Sequence, residues 1–219
     1  MKILSYLNDK TLKNDMVEEM TMHQKQDALI KGSYGHMNGK FTGCAVGCGI
    51  RSLNVCRNLN IANYGDHGSY ARALGIPEWL ARLEDSMFEN LPEKEAKEFP
   101  LKFIKAIPIG VDLEPVKWKF CAFILKENIE RVLLLKIKDE LKEQVVSAIQ
   151  GVLKLHEDAV KTGKWNGSAE SAARSAARSA ESAARSAESA ARSAARSAAW
   201  SAARIKYSKE LLRLIEKQK

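Results

Sequence analysis

The segment that begins at Ser168 is a repeat, and it constrains the fold of this 219-residue chain more than any other feature. Units of Ser-Ala-Ala-Arg and Ser-Ala-Glu space the serines by about 3.67 residues, which keeps them on one face of a helix. Alanine has the highest helix propensity. The charged residues add favourable i, i+4 pairs, namely Glu170–Arg174, Glu181–Arg185 and Glu188–Arg192. The repeat therefore predicts one long helix that runs from Ser168 into the segment 211–215.

A glycine-containing break at 163–167 precedes the repeat. We therefore expect a compact multi-helix domain over 1–162 and a separate Ala-rich helix over 168–219. Because serine and alanine side chains are small, two such helices can approach each other closely. This favours a homo-oligomer assembled through 168–219. A solvated spacer, or a helix that lies on its own domain, is the alternative.

The positive charge of the chain lies mostly in the repeat segment. The net charge is +8 overall, but 168–219 carries eleven Lys/Arg against five Asp/Glu, or +6. Residues 1–167 carry 24 against 22, or only +2. A nearly neutral domain lacks the basic surface that nucleic-acid-binding domains use. Glutamates also interrupt the arginines of the repeat, so we expect no nucleic-acid partner.

Composition favours a globular protein with a hydrophobic core. Hydrophobic residues make up 45% of the chain and charged residues 28%, which is typical of folded domains. Four cysteines in a chain of this size do not form a disulfide scaffold and indicate a reducing compartment. No apolar run has the length of a membrane-spanning helix, and the N-terminus does not resemble a secretory signal. These features predict a cytoplasmic protein without a membrane partner.

The first 167 residues predict an all-α domain. Apolar residues recur at helical spacing, and capping residues, glycines and prolines mark the ends of the helices. The predicted helices cover 10–31, 43–57, 69–74, 77–90, a segment from Pro92 that Pro100 kinks or splits, 115–126 and 138–162. The glycine-rich stretch 32–39 is predicted to be a loop. The apolar run 132–137 resembles a strand, but no second strand is available to pair with it.

Polar residues interrupt the apolar faces of two predicted helices. At 100° per residue, His23 and Asp27 fall inside the apolar stripe of the first helix. Glu84 falls between Leu80 and Phe88 in a later helix. An unpaired charge on such a face is destabilising. We therefore expect these three residues either to find partners in the core or to belong to a functional site.

The second predicted helix carries the candidate reactive residues. Cys44 follows Gly43 at its N-terminus, where the helix dipole lowers the pKa of a thiol. With His67 or His23 as the base, Cys44 would be the nucleophile of a hydrolase or transferase. Cys44 and Cys48 with either histidine also offer zinc-type ligands, but the usual Cys-x2-Cys turn is absent. We therefore predict no metal and no cofactor, and the cysteines otherwise fill the core.

Anion binding is a further interpretation of this region. The glycine-rich stretch 32–49 leads into a helix N-terminus, which attracts anions through its free amides and its dipole. Lys31 and Arg51 flank that stretch, and Tyr34 lies within it. No Gly-Lys-Ser/Thr sequence follows at the spacing of a Walker loop, so a nucleoside triphosphatase motif is not present.

Several short motifs follow one another in a distinctive order. They are Lys31-Gly-Ser-Tyr-Gly, Gly43-Cys-Ala-Val-Gly-Cys48, Asp66-His-Gly-Ser-Tyr70, Leu74-Gly-Ile-Pro77, Leu83-Glu-Asp85 and the Ser-Ala-Ala-Arg tail. In this order the chain resembles a family of uncharacterised proteins from tailed phages and prophages. The resemblance implies an accessory protein in the cytoplasm of a bacterial host, and it implies no particular activity.

Three functions follow from these observations. The favoured one is a binding module for a small polar or anionic, nucleotide-like ligand, with the candidate ligand-binding residues Asp27, Tyr34, Cys48, Arg51 and Glu84. The second is an enzyme that uses Cys44 with His67 or His23. The third is a structural or partner-binding oligomer without a ligand.

Overall fold

The computed structural model describes residues 2–166 and 196–218. The chain divides into two compact units, one of Met1–Glu114 with Trp200–Lys219 and the other of Pro115–Ala199. The division falls inside the predicted 1–162 domain. Most of the Ser-Ala-Ala-Arg repeat lies outside the described residues, so assembly through 168–219 stays a prediction.

Eight α-helices and one two-stranded sheet make up the described part of the chain, which confirms the predicted all-α class in its main feature. The elements are a 3-10 turn Ser5–Asn8, α1 Lys10–Lys25, β1 His36–Asn38, β2 Lys40–Thr42, α2 Ala45–Cys56, α3 His67–Leu74, α4 Glu78–Asn90, α5 Glu93–Ala106, α6 Glu114–Leu134, α7 Asp139–Thr162 and α8 Arg196–Glu216. Helix α5 continues through Pro100 without a split. Helix α6 extends into the apolar run 132–137, so residues 132–134 are helical and do not form a strand.

Helix α1 ends six residues earlier than the sequence predicts. Asp27 has a left-handed backbone with φ of 52°. The Ala28 N–H donates to the His23 carbonyl at 2.9 Å, and the Asp27 N–H donates to the Gln24 carbonyl at 3.3 Å. This pattern is a Schellman cap, in which Asp27 takes the place usually held by glycine. The helical register therefore stops before Asp27, and its predicted position in the apolar stripe is wrong.

The glycine-rich stretch contains a hairpin that the loop prediction missed. Strands β1 and β2 pair antiparallel, with Met37 opposite Phe41. Gly39, with φ of 70°, makes the tight connection between them. Beside the hairpin, the Ile30 N–H donates to the Gly43 carbonyl, and the Gly43 N–H donates to the Ala28 carbonyl, both at 2.9 Å. The segment 28–30 therefore lies beside Gly43, just before α2 begins.

The core of the first unit lies where five helices meet. Helix α1 packs on α2 and α5, and α4 packs on α2, α3 and α5. Large side chains from these helices are fully buried, among them Met16, Met20, Ile50, Leu53, Leu80, Phe88 and Phe103. This packing fixes the relative positions of α1, α2 and α4, which carry half of the predicted site residues, namely His23, Cys48, Arg51 and Glu84.

The remaining helices have their own contacts. Lys126 of α6 and Glu157 of α7 form an ion pair of 2.8 Å in the second unit. Helix α8 buries Leu211 and Ile215, and the Arg204 guanidinium donates to the Asn90 carbonyl at 3.0 Å. Within the described ranges, no helix has both the length and the apolar character needed to span a bilayer.

Candidate functional site

The N-terminus of α2 is closed by the protein itself. The Cys44 Sγ accepts a hydrogen bond from the Gly47 N–H at 3.4 Å, and the Cys44 N–H donates to the Ser33 carbonyl at 2.7 Å. A Cβ at Gly47 would lie 1.4 Å from the Tyr34 carbonyl oxygen, so the backbone of that loop rests directly on the helix. The Lys31 amine is held by a backbone carbonyl at the end of α4. An anion therefore finds no open cradle at this helix end, which corrects that interpretation.

Cys44 is a buried thiol and not a thiolate. Only 1% of its surface is exposed. Burial raises the pKa of Cys44 far above its usual range, and the neighbouring carboxyl group of Asp85 raises it further. The amide of Gly47 lowers this pKa, but by less. The predicted effect of the helix dipole is therefore outweighed by desolvation and by a neighbouring carboxylate.

Cys48 is also part of the core. Its thiol donates to the Gly43 carbonyl at 3.5 Å and approaches the Ala28 carbonyl at 3.8 Å. Burial raises the pKa of Cys48 to about 12. Among the described residues, no three His, Cys, Asp or Glu side chains are arranged to hold a metal ion. The zinc alternative therefore has no support from the geometry of the two cysteines.

His67 is engaged on both sides of its ring. Its Nε2 lies 3.1 Å from Asp85 Oδ2, and its Nδ1 lies 2.9 Å from the Gly65 carbonyl oxygen. Both ring nitrogens of His67 therefore face acceptors. The ionisable group next to Cys44 is the carboxyl group of Asp85, and not a histidine that could act as a base. His23 belongs to a different place in the fold, described below. The predicted pairing of Cys44 with a histidine base is not formed.

Glu84 lies deepest in this region. Its side chain is fully buried, as its helical position predicted, and sits beside Tyr70. Burial raises the pKa of Glu84 well above its ordinary value, Asp85 raises it further, and the contact with Tyr70 opposes this shift. No arginine pairs with Glu84 among the described residues, since Arg82 pairs with Glu78 at 2.6 Å and Arg51 lines a cleft with Glu19 and His23. Burial in the core therefore favours the neutral, protonated form of Glu84.

Two predicted ligand-binding residues lie on the surface. Asp27 is exposed and pairs with Lys97 at 2.7 Å. This pair and the Schellman cap explain why Asp27 does not join His23. The Tyr34 ring is 51% exposed and meets the His67 ring edge-on, with 5.8 Å between their centroids. Neither side chain lines the cleft that holds His23 and Arg51, described below.

A half-open cleft of about 280 Å³ lies between α1, the hairpin and α2. Its lining combines charged, polar and apolar side chains, namely Glu19, Met22, His23, Gln26, Met37, Lys40, Phe41, Arg51 and Val55. Of the eight predicted site residues, His23 and Arg51 line this cleft. It is therefore the place where part of the predicted binding site is assembled beside accessible space.

Local structure explains how the cleft forms. Glu19 and His23 lie one turn apart on α1, and Arg51 and Val55 lie one turn apart on α2, so each pair projects from one helix face. Strand β2 brings Phe41 against His23, with 6.0 Å between the ring centroids. The cleft is thus built from two helix faces and closed on one side by the hairpin.

Two polar groups in the cleft, Arg51 and His23, keep unused binding capacity. Across the part of the chain that the structure describes, the Arg51 guanidinium has no ion pair and no hydrogen-bond partner. Burial lowers the pKa of His23, and the charge of Arg51 lowers it further, while a hydrogen bond to the Cys48 carbonyl opposes these effects. His23 Nε2 is buried and meets no partner within the described ranges. His23 is therefore neutral near pH 7 and stands beside a free cation.

Sequence reasoning missed Asp85 in the core and Glu19, Lys40 and Phe41 in the cleft. Glu19 carried a usable signal, since it lies one turn before His23 on the same helix. Lys40 and Phe41 gave none, because their position depends on the hairpin. Asp85 lies at the edge of the apolar face of α4, so helical spacing did not single it out. Only its contact with His67 in the structure identifies it as part of the cluster.

Comparisons with protein-family models, with curated proteins and with solved structures found no significant match for this chain. The resemblance to phage and prophage proteins stays a prediction from the motifs.

Proposed function

We propose that the protein binds a small anionic molecule in the cleft between α1, the hairpin and α2. The single observation that carries this proposal is Arg51, a cation on the cleft wall with no partner among the described residues. A guanidinium in a half-buried site binds carboxylate or phosphate oxygens through charge-assisted hydrogen bonds. The phage context and assembly through 168–219 remain expectations from the sequence, and the proposal does not depend on them.

The walls of the cleft favour a ligand with an apolar part. Met22, Met37 and Val55 line it and are each substantially exposed. The Phe41 ring provides a flat surface on the inner side. Thioether side chains adapt their shape to bound groups and pack well on aromatic rings. We therefore propose a ligand with an anionic end at Arg51 and an apolar end against these side chains.

The size of the cleft favours a ligand smaller than a nucleotide. Its volume of about 280 Å³ lies just below the usual range of about 300–1,000 Å³ for small-molecule sites. The neutral His23 can accept or donate one hydrogen bond at the inner side of such a ligand. A compact carboxylate with a ring or a short hydrocarbon chain fits these requirements.

The test is an NMR titration with 3-phenylpropanoate, an aryl carboxylate of the proposed type. We expect wild-type protein to bind it, and Arg51→Gln to weaken binding about tenfold or more, because a charged hydrogen bond is lost. Arg82→Gln is the matched control, since Arg82 lies on α4 and pairs with Glu78. If wild type does not bind, or if both variants weaken binding equally, the proposal is wrong.

A further inference from the structure

The cleft carries opposite charges on its two helix walls. Glu19 projects from α1 and Arg51 from α2, and both line the same volume. Burial raises the pKa of Glu19, and the neighbouring carboxylates Glu18 and Asp15 raise it further, while the charge of Arg51 opposes this shift. Yet the two side chains form no ion pair with each other or with any other described residue. The cleft thus presents a carboxylate and a guanidinium that are close enough to interact and remain separate.

A purely anionic ligand does not account for the presence of the Glu19 carboxylate in the cleft. A carboxylate beside the site would repel the anionic end of the ligand, and its own partial burial without a partner is unfavourable. Apart from Arg51, which serves the anionic end of the ligand, the nearby basic groups Lys40 and Arg57 are already engaged. Lys40 donates its amine to the Gln26 carbonyl at 3.0 Å, and Arg57 pairs with Asp9 at 3.1 Å and Asp15 at 3.2 Å. Glu19 is therefore left as an acceptor for a cationic group that comes from outside the chain.

We propose that the ligand is a zwitterion of the amino-acid class, with its ammonium group at Glu19 and its acidic group at Arg51. The apolar part of the ligand then lies against Phe41 and the exposed side chains Met22, Met37 and Val55. This inference rests on the proposed function, because it uses the same cleft and the same Arg51. It adds a selectivity element, since Glu19 favours dipolar ligands over simple anions.

The charge arrangement gives this selectivity a physical basis. A zwitterion places one charge of each sign in the cleft, so it satisfies both walls without leaving a buried charge unpaired. A simple anion satisfies Arg51 but leaves Glu19 facing it. A simple cation satisfies Glu19 but meets Arg51. Each partial ligand therefore loses one attraction and gains one repulsion.

The experiment compares three probes that share one aromatic ring, namely L-phenylalanine, 3-phenylpropanoate and 2-phenylethylamine, each titrated into the full chain by NMR. We expect L-phenylalanine to bind about fivefold or more tightly than either of the others. Glu19→Gln should remove that advantage by weakening L-phenylalanine binding about tenfold, while binding of 3-phenylpropanoate stays equal or tightens. Glu18→Gln, an exposed neighbour outside the cleft lining, is the matched control.

The outcomes separate the two proposals. If 3-phenylpropanoate binds as tightly as L-phenylalanine in an Arg51-dependent way, the zwitterion inference is overturned and the anion-binding function stands. The zwitterion inference is also overturned if Glu19→Gln changes the affinity for both probes equally. If none of the three probes binds in an Arg51-dependent way, both proposals fail. Circular dichroism of each variant checks that the substitutions leave the helices intact.

Discussion

The buried polar cluster and the open cleft differ in whether their polar groups can be reached from outside. In the cluster, formed by Cys44, His67, Tyr70, Glu84 and Asp85, the groups lie together inside the core. Some of their atoms have no hydrogen-bond partner within the described ranges, namely the Tyr70 hydroxyl, both Glu84 carboxyl oxygens and Asp85 Oδ1. In the cleft, Glu19, His23 and Arg51 line accessible volume. A polar residue on an apolar helix face, even one without a partner, is therefore ambiguous by itself, and accessible space is what distinguishes a binding site from internal structure.

The largest expected effect is on the stability of the cluster. Asp85→Asn removes the carboxylate that faces His67 Nε2 at 3.1 Å in a buried contact. Leaving a buried polar group without its partner lowers the free energy of unfolding by about 1–3 kcal/mol. Denaturant unfolding monitored by circular dichroism measures this loss. The control is Asp27→Asn, which breaks the exposed pair with Lys97 and should change stability by about 0–1 kcal/mol. Equal effects would mean that the cluster contributes no more than a surface ion pair.

The second effect is a pH dependence from Glu84. Its pKa in the folded chain is raised above the ordinary value of 4.5, chiefly by burial. Above pH 4.5 the unfolded chain releases this proton while the folded chain keeps it. The free energy of unfolding therefore falls as pH rises, by up to about 1.4 kcal/mol per pH unit, until the folded pKa is reached.

Glu84→Gln should remove this contribution, because the amide has no proton to release. Urea unfolding from pH 5 to pH 8 compares the slope of stability against pH in wild type, in Glu84→Gln and in the exposed control Glu18→Gln. We expect a flatter slope for Glu84→Gln alone. Identical slopes in all three proteins would contradict a neutral, buried Glu84.

A smaller effect concerns thiol reactivity. Burial raises the pKa of both Cys44 and Cys48, and neither is exposed. Cys56 and Cys121 are only half buried. Iodoacetamide should therefore modify Cys56 and Cys121 in the native protein before the two core cysteines, as mass spectrometry of peptides can show. Faster modification of Cys44 would restore the nucleophile hypothesis.

The smallest stability effect is expected in the cleft. The Arg51 side chain has no partner within the described ranges, so Arg51→Gln should change the free energy of unfolding by no more than about 0.5 kcal/mol. Denaturant unfolding of this variant, measured beside Asp85→Asn, provides the comparison. A loss of about 2 kcal/mol or more would mean that Arg51 is structural and that the cleft is not a free binding site.

The sequence predicted the parts of this molecule that depend on local pattern. Helical spacing and capping signals located most helices, and the helical position of Glu84 correctly placed it in the core. The errors arose where local pattern is overridden. Asp27 does not lie on the apolar face of α1, because the helix ends in a Schellman cap in which Asp27 itself takes the left-handed conformation. Cys44 is a thiol with a raised pKa because tertiary packing buries it and places Asp85 of α4 beside it.

The cleft was only half predictable for the same reason. His23 and Arg51 were visible as polar residues beside apolar helix faces. Their proximity, however, depends on how α1 packs on α2. The cleft is also closed by a hairpin, which is difficult to predict from a short glycine-rich segment. Tertiary contacts bring these residues together, and a single sequence contains no direct record of such contacts.

Mapping of backbone amide shifts during titration with L-phenylalanine and 3-phenylpropanoate tests the central claim most directly, because it locates binding within the fold. We predict that shift changes concentrate on 19–26 of α1, 37–41 of the hairpin and 51–55 of α2, and disappear in Arg51→Gln. Changes that instead centre on 43–47, 65–67 and 84–85 would show that the buried polar cluster, and not the cleft, is the binding site.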